Sequence, residues 1–132
     1  SVKDKDKPAL PPLVSKLISL GFSVIATRGT ASYLKKYGIS VETINKVAEG
    51  RPNIVDYIKN KEIDFVINTV TGAKAQRDSF SIRENALRYG VTYTTTIAGA
   101  KAAINSIEII LKKQINIKSL QEYHKEVKSS EL

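Results

Sequence analysis

The stretch F-S-V-I-A-T-R-G-T-A-S-Y-L-K-K-Y-G, residues 22–38, sets the class of fold. Its apolar start (22–26) is typical of a short buried strand, and 30–37 has the character of a helix that stops at Gly38. The four residues T-R-G-T (27–30) form the turn between them. A strand that leads through a tight turn into a helix is the repeating unit of a parallel α/β domain.

The same alternation of strand and helix continues on both sides of this stretch. We expect strands at 39–44, 64–70 and 91–96, and helices at 8–20, from 52, at 79–89 and 98–111, with a last short helix capped by Ser119 and Glu122. Ser1-Val2 has the character of the end of a strand whose apolar part lies upstream. The sequence therefore predicts one domain, 1–132, cut from a longer polypeptide. Its fold is a three-layer α/β/α arrangement around a mainly parallel sheet of about five strands, the first truncated.

Composition narrows the classes of function. The net charge is +8, but the lysines are scattered and the six tyrosines do not interleave with them, which disfavours nucleic acid as a partner. No run of ~18 apolar residues is present, so no membrane span is predicted. The lack of cysteine fits a cytoplasmic chain, and a single histidine, His124, disfavours a zinc site. A small phosphorylated ligand needs only a few well-placed cations, so the charge leaves that class open.

Polar residues follow each predicted strand, at the edge of a parallel sheet where ligands bind. Gly29 lets the backbone approach a ligand and can adopt a positive φ, and the amides of a helix that begins at Thr30 carry the positive end of its dipole. Thr27 adds a hydroxyl, and Lys7 and Lys46 add charge. Together these groups suit the dianion of a phosphate monoester.

Each of these residues also has a plainer interpretation when it is taken alone. Taken alone, Thr30 or Ser79 could simply cap a helix, and Gly29 could be a turn residue. Lys46 could be a surface lysine, and Asn68 could cap the end of a strand. Their common placement after successive strands favours a binding site.

The carboxylates do not suggest a catalyst. Asp4 and Asp6 are flanked by lysines that should depress their pKa values, and Asp78 lies where a helix start would use it as a cap. No carboxylate pair or activated nucleophile stands out. The residues therefore predict no catalytic group and no metal site.

Six segments, in this order, resemble a known family: S-V-K-D-K-D-K (1–7), G-F-S-V-I-A-T-R-G-T-A (21–31), N-K-V-A-E-G-R-P-N-I (45–54), I-N-T-V-T-G (67–72), D-S-F-S-I-R (78–83) and Y-T-T-T-I-A-G (93–99). The chain resembles the methylglyoxal-synthase-like domain. More closely, it resembles the C-terminal allosteric domain of the large subunit of bacterial-type carbamoyl phosphate synthase. The run N-K-V-x-E-G-R-P is specific, whereas T-x-G-T is shared across the superfamily.

The resemblance implies a site for a nucleotide monophosphate effector, uridine monophosphate (UMP) or inosine monophosphate (IMP), and no other cofactor. It implies phosphate contacts from Lys7, Thr27, Thr30 and Lys46, with Gly29 in the same turn. Nucleoside contacts would come from Asn68, Thr69 and Ser79. Thr95 would lie at the interface with a synthetase domain.

The resemblance also implies a context. The parent would be a cytoplasmic ligase that makes carbamoyl phosphate from glutamine and bicarbonate with ATP, for pyrimidine and arginine biosynthesis. Its partners would be the synthetase domains of the same large subunit and a glutaminase small subunit, and a homo-oligomer is left open. The alternative is a free-standing methylglyoxal-synthase-like lyase acting on a phosphate ester. The segment T-G-A-K-A-Q-R-D (71–78) disfavours it, because the expected glycine-rich, aspartate-bearing loop is absent there.

Overall fold

The computed structural model describes the backbone of residues 1–130 and the side chains of residues 1–122. The chain is divided into two compact units, Ser1–Lys101 and Ala102–Leu132. The helices are α1 (Leu10–Ser19), α2 (Arg28–Lys36), α3 (Ile54–Lys59), α4 (Ala73–Asp78), α5 (Phe80–Arg88) and α6 (Ile97–Ser130). Short 3₁₀ helices span Asp4–Ala9 and Val47–Glu49. The strands are β1 (Ile25–Thr27), β2 (Glu42–Ile44), β3 (Phe65–Ile67) and β4 (Thr92–Thr94).

The strands pair in parallel, and the predicted α/β class is confirmed. β1 pairs with β2, so that Ile25 lies opposite Glu42, and β3 pairs with β4, so that Phe65 lies opposite Thr92. A single parallel bridge joins Val2 to Thr69, just beyond β3. These connections agree with a strand–helix–strand chain order.

The structure differs from the predicted single sheet of about five strands. Among residues 1–130 the structure has four strands of three residues each, in two separate pairs. The predicted strand at 64–70 is reduced to Phe65–Ile67. The N-terminal segment contributes one bridge at Val2 rather than a full strand, so no strand among residues 1–130 pairs with both β1 and β3.

Three helices differ from the sequence prediction. The expected helix at 8–20 begins as a 3₁₀ turn and becomes α1 at Leu10, with prolines in its first turn. The expected helix at 79–89 is preceded by a separate α4, and Ser79 is the junction between α4 and α5. The separate final helix is wrong: because 112–118 contains neither glycine nor proline, α6 continues through Ser119. The side chain of His124 lies outside the described residues.

The unit Ser1–Lys101 has two apolar clusters. The first joins the N-terminal segment to α1 and α2, and the second joins α3 and α5 to β3; their buried members are Val2, Leu10, Val14 and Leu34, and Ile58, Val66, Ile82 and Ala86. Ile67 packs against the first cluster and Tyr93 against the second. The β3–β4 pair therefore packs against both clusters, and Val24 and Val41, the residues just before β1 and β2, pack against the first.

We expect Leu34→Ala to lower the free energy of unfolding by ~2–5 kcal/mol, because Leu34 is fully buried and its removal leaves a cavity. The measurement is urea denaturation followed by circular dichroism. Leu87→Ala is the matched control, because Leu87 is 84% exposed and should change stability by less than ~0.5 kcal/mol. Equal effects of the two substitutions would contradict the assignment of Leu34 to the core.

Candidate functional site

The turn between β1 and α2 places two buried threonines side by side. Thr27 is extended (φ −65°, ψ 158°) and α2 begins at Arg28. Thr27 and Thr30 are 7% and 5% exposed, and their Oγ1 atoms are 3.5 Å apart. Thr30 accepts a hydrogen bond from the backbone N–H of Val2 at 3.1 Å. Thr30 is thus inside the first turn of α2, and its interpretation as the N-cap is wrong.

Gly29 has a different role from the one expected. It lies in the first turn of α2, and its φ is not positive. A Cβ at this position would lie 3.5 Å from Nζ of Lys7. That distance is an ordinary van der Waals contact, so the Lys7 ammonium lies directly against the first turn of the helix, and neither a positive φ nor a lack of space explains a glycine here.

The Lys7 ammonium is held beside the turn by a carboxylate. Lys7 follows from the 3₁₀ helix Asp4–Ala9, and its side chain is only 14% exposed. Its Nζ forms an ion pair with Asp4, whose side chain is 93% exposed. The hydrogen bond and charge of Lys7 hold the pKa of the Asp4 carboxyl below its usual range. Asp4 therefore stays ionised at neutral pH and pairs with the cation.

A second cation, Lys46, comes from the loop after β2. Its backbone N–H donates to Oε1 of Glu49 at 2.7 Å, and the neighbouring Asn45 donates from Nδ2 to the carbonyl of Pro52 at 3.2 Å. Arg28 donates from Nη2 to Oδ1 of Asn45 at 3.0 Å. These bonds tie the Lys46 loop to the start of α2.

The nitrogen of Ser1 also lies in this region. It donates to the carbonyl of Ile67 at 3.0 Å. Desolvation, followed by repulsion from Lys46 and Lys7, lowers the pKa of this amine from 8.0 to about 5. Both lysines therefore lie within electrostatic range of Ser1.

Three further predicted residues lie beyond β3. Asn68 is 3% exposed; its Nδ2 donates to Oη of Tyr93 at 2.9 Å and its backbone N–H to the carbonyl of Thr94. Thr69 is 2% exposed, and its Oγ1 accepts from the backbone N–H of Lys3 at 3.1 Å. Ser79, at the α4–α5 junction, is 9% exposed.

One cavity of ≈ 290 Å³ brings most of these groups together. Thr27, Thr30, Lys46, Asn68 and Ser79 line it, together with Ser1. Lys7 and Gly29 are adjacent through the turn, and Thr69 lies behind Asn68, but these three are not among its lining residues. Thr95 is elsewhere: it is exposed just after β4.

Sequence reasoning missed or misplaced some of these residues. Asp78 is not a helix-start cap; it is the last residue of α4, is exposed, and lines the cavity. The Ser1 amine and the Tyr93 hydroxyl were missed, because both act through partners more than 20 positions away along the chain. Thr96, whose Oγ1 accepts from the N–H of Gly99 at 3.0 Å, was missed as a cap of α6. The serine- and threonine-type N-cap pattern could have found it.

With this geometry in place, the chain can be compared with known proteins. Its fold and site define a parallel α/β unit whose strand ends are basic and polar. The chain belongs to the MGS-like domain family, whose model matches residues 9–95.

The chain is similar to large chains of carbamoyl phosphate synthases. The chain is 49% identical to the C-terminal section of the large chain from Methanopyrus kandleri, over 100% of this chain and 26% of that protein. It is 54% identical to the large chain from Xylella fastidiosa strain Temecula1 and 50% identical to that from Xanthomonas campestris, over 96% and 98% of this chain. It spans 12% of each of those two proteins.

Among the described residues, no helix combines the length and the apolar character that a membrane crossing requires. No group of three or more histidine, cysteine, aspartate or glutamate side chains there is arranged to hold a metal ion.

We expect Thr30→Val to lower the free energy of unfolding by ~1–3 kcal/mol, because the buried N–H of Val2 loses its acceptor. The measurement is the urea midpoint of each variant. Thr30→Ser is the control, because it keeps the hydroxyl that accepts from Val2. Its free energy of unfolding should therefore fall much less than that of Thr30→Val. If the valine and serine variants are equally stable, the Val2–Thr30 hydrogen bond is not the stabilising contact.

Proposed function

We propose that this chain is the regulatory domain of a carbamoyl phosphate synthase large subunit and binds a nucleotide monophosphate, UMP or IMP. The observation that carries the proposal is that Lys46 lines one cavity with the two buried hydroxyls of Thr27 and Thr30, while Lys7 lies against Gly29 in the same turn. A phosphate monoester is a dianion with several acceptor oxygens. Cations, hydroxyls and a helix start together match both its charge and its need for donors.

The helix start adds donors without added charge. α2 is nine residues long, and no side chain caps its first amides at Thr27. Four N–H groups at a helix start have no partner within the helix. A phosphate next to Thr27 and Thr30 would accept from them, and the helix dipole would favour its negative charge.

The rest of a nucleotide would extend along the cavity toward Asn68 and Ser79. Both line the cavity and are nearly buried. Their amide and hydroxyl can hydrogen-bond a ribose or a base edge. Thr69 would lie behind Asn68. Because its Oγ1 already accepts a hydrogen bond from the N–H of Lys3, its hydroxyl would act toward a ligand as a donor.

A route from the site to a distant interface runs through β4. Asn68 is bound to Tyr93 through its side chain and to Thr94 through its backbone. The next residue, Thr95, is exposed and would contact a synthetase domain of the same subunit. Allostery requires contacts that differ between two states. We infer that nucleotide binding shifts β4 and so biases the synthetase sites, while this chain itself catalyses no reaction.

The parent enzyme would be a cytoplasmic ligase of pyrimidine and arginine biosynthesis that works with a glutaminase small subunit. Similarity to the large chains of Methanopyrus kandleri and Xylella fastidiosa supports this context. It does not bear on which nucleotide binds, so both are tested.

Calorimetric titration with UMP and IMP tests the proposal. We expect at least one to bind, and Lys46→Ala to weaken it about 10- to 100-fold, the value of a charge-assisted hydrogen bond. Lys35→Ala is the matched control, because Lys35 is exposed in the last turn of α2, away from the cavity. At ~100 times the dissociation constant, the ligand should also raise the free energy of unfolding by ~2.7 kcal/mol. Binding of neither nucleotide, or equal losses in the two lysine variants, would refute the site.

A second experiment tests the competition at Lys7. Asp4 neutralises the Lys7 ammonium in the ligand-free protein, so a phosphate must displace or share it. We expect Asp4→Asn to tighten nucleotide binding by up to about 5-fold, the range for an exposed ion pair. Asp6→Asn is the control, since Asp6 pairs with Lys3 at 3.7 Å instead. Weaker binding by the Asp4 variant would place Lys7 outside the phosphate site.

A further inference from the structure

Asn68 is buried, yet one of its polar atoms has no partner in the described part of the chain. The side chain is 3% exposed, and its Nδ2 donates to Oη of Tyr93 at 2.9 Å. Its Oδ1 receives no hydrogen bond from residues 1–122. Within those residues, no fully buried side-chain nitrogen or oxygen lacks a partner. Oδ1 is therefore still accessible, and the open space that Asn68 lines is the cavity.

The sheet register explains why Tyr93 reaches Asn68. Tyr93 lies opposite Val66 in the β3–β4 pair, and the backbone N–H of Asn68 donates to the carbonyl of Thr94 at 2.9 Å. Because side chains alternate along a strand, those of Val66 and Asn68 project from the same face, and the parallel pairing places Tyr93 on that face too. Backbone pairing therefore brings the phenol hydroxyl to the Asn68 carboxamide.

Two contacts fix the ring of Tyr93. The ring packs against the second apolar cluster, and Cζ of Arg83 lies 5.7 Å from the ring centroid. A guanidinium at that distance is attracted to the face of an aromatic ring. The position of the Tyr93 hydroxyl is therefore set by packing and by charge, in addition to its hydrogen bond with Asn68.

Arg83 also connects Tyr93 to another wall of the cavity. The backbone N–H of Arg83 donates to the carbonyl of Ser79 at 3.1 Å, and Ser79 and Ile82 line the cavity from the start of α5. Asn68 follows β3 instead. The contact between Arg83 and Tyr93 thus joins the two elements that carry the predicted nucleoside contacts.

We propose that Tyr93 is a positioning residue that holds the nitrogen of the Asn68 carboxamide, so that Oδ1 faces the cavity as a fixed hydrogen-bond acceptor. The Arg83 guanidinium keeps the Tyr93 ring in the orientation that this requires. An acceptor selects a ligand group that carries a proton, and a phosphate dianion carries none. The ligand group is therefore an N–H of the base, which uracil and hypoxanthine both have, or a hydroxyl of the ribose. This inference rests on the proposed nucleotide site and specifies what Asn68 recognises there.

A double-mutant cycle on nucleotide affinity tests the positioning role. It compares Tyr93→Phe, which removes the hydroxyl and keeps the ring, with Asn68→Ala and with the double variant. We expect Tyr93→Phe to weaken UMP or IMP binding about 3- to 10-fold, the range for one hydrogen bond. Once Asn68 is alanine, the same change should alter the affinity by less than about 2-fold. Equal losses in both backgrounds, as a merely structural role would give, or no loss in either, would overturn the proposal.

Fragments of the nucleotide identify the group that Asn68 contacts. Ribose 5-phosphate carries hydroxyls without a base, dideoxyuridine monophosphate carries the base N–H without ribose hydroxyls, and inorganic phosphate carries neither. Weaker binding of ribose 5-phosphate by Tyr93→Phe would assign Oδ1 to a ribose hydroxyl, and weaker binding of the dideoxynucleotide would assign it to the base. Inorganic phosphate should bind equally to both proteins. A loss with inorganic phosphate, or with none of the three compounds, would overturn the proposal.

Arg83→Gln tests the support of the Tyr93 ring. We expect it to weaken nucleotide binding about 2- to 5-fold, the value of an exposed cation–π contact. Arg88→Gln is the matched control, because Arg88 lies on the same helix, is 67% exposed and pairs with Glu84 at 3.9 Å. Both variants lose one positive charge, and the control should change the affinity by less than about 2-fold. Equal losses would remove Arg83 from the positioning of Tyr93.

A measurement without ligand separates this inference from the proposed function. Hydrogen exchange of the Asn68 side-chain amide, followed by NMR, should be at least about 5-fold faster in Tyr93→Phe, because the amide loses its acceptor. Unchanged exchange would overturn the positioning role whether or not a nucleotide binds. If exchange accelerates but neither UMP nor IMP binds, the proposed function fails and the assignment of Oδ1 to a nucleotide fails with it, while the hold of Tyr93 on Asn68 is confirmed.

Discussion

The hydrogen bonds of residues 1–3 are the constraint on which the rest of the structure depends. The backbone of Ser1 and Lys3 bonds to β3 and the residues after it, while the N–H of Val2 bonds to the Thr30 hydroxyl in α2. These bonds join segments that are otherwise paired separately, because β1 belongs with β2 and β3 with β4. They also hold the Ser1 amine beside the turn that carries the buried threonines.

The same junction concentrates positive charge. Lys7 and Lys46 come from segments about 40 residues apart, yet both repel the amine of Ser1. Asp4 offsets part of this charge from an exposed position, where a ligand can replace it. Thr27 and Thr30 are buried in the same turn, whereas the Asp4 carboxylate that pairs with Lys7 is exposed. This division suits the reversible binding of an anion more than covalent chemistry.

Much of the fold was predictable from residues 22–38 outward, and the errors have identifiable causes. Alternating apolar and helical segments predicted the parallel α/β class, which is confirmed together with the family. The number of strands was overestimated. An apolar segment is able to form a strand, but its composition does not show whether another strand lies beside it for pairing. The break before Ser119 was wrong, since a capping pattern inside an uninterrupted helix does not end it. Site residues were predicted from their position after strands. Five of them line the cavity: Thr27, Thr30, Lys46, Asn68 and Ser79.

The sequence by itself determined the strand–turn–helix order and the residue types available at the strand ends. These follow from local periodicity and from turn residues, which act between neighbours in the chain. The family was indicated by the six segments that the chain shares with it. Only the tertiary structure decided that Gly29 lies against the Lys7 ammonium, that Thr30 binds Val2 rather than capping a helix, and that Tyr93 holds Asn68. The physical reason is that each of these roles is set by an atom more than 20 residues away, and such distances exist only after the chain has folded.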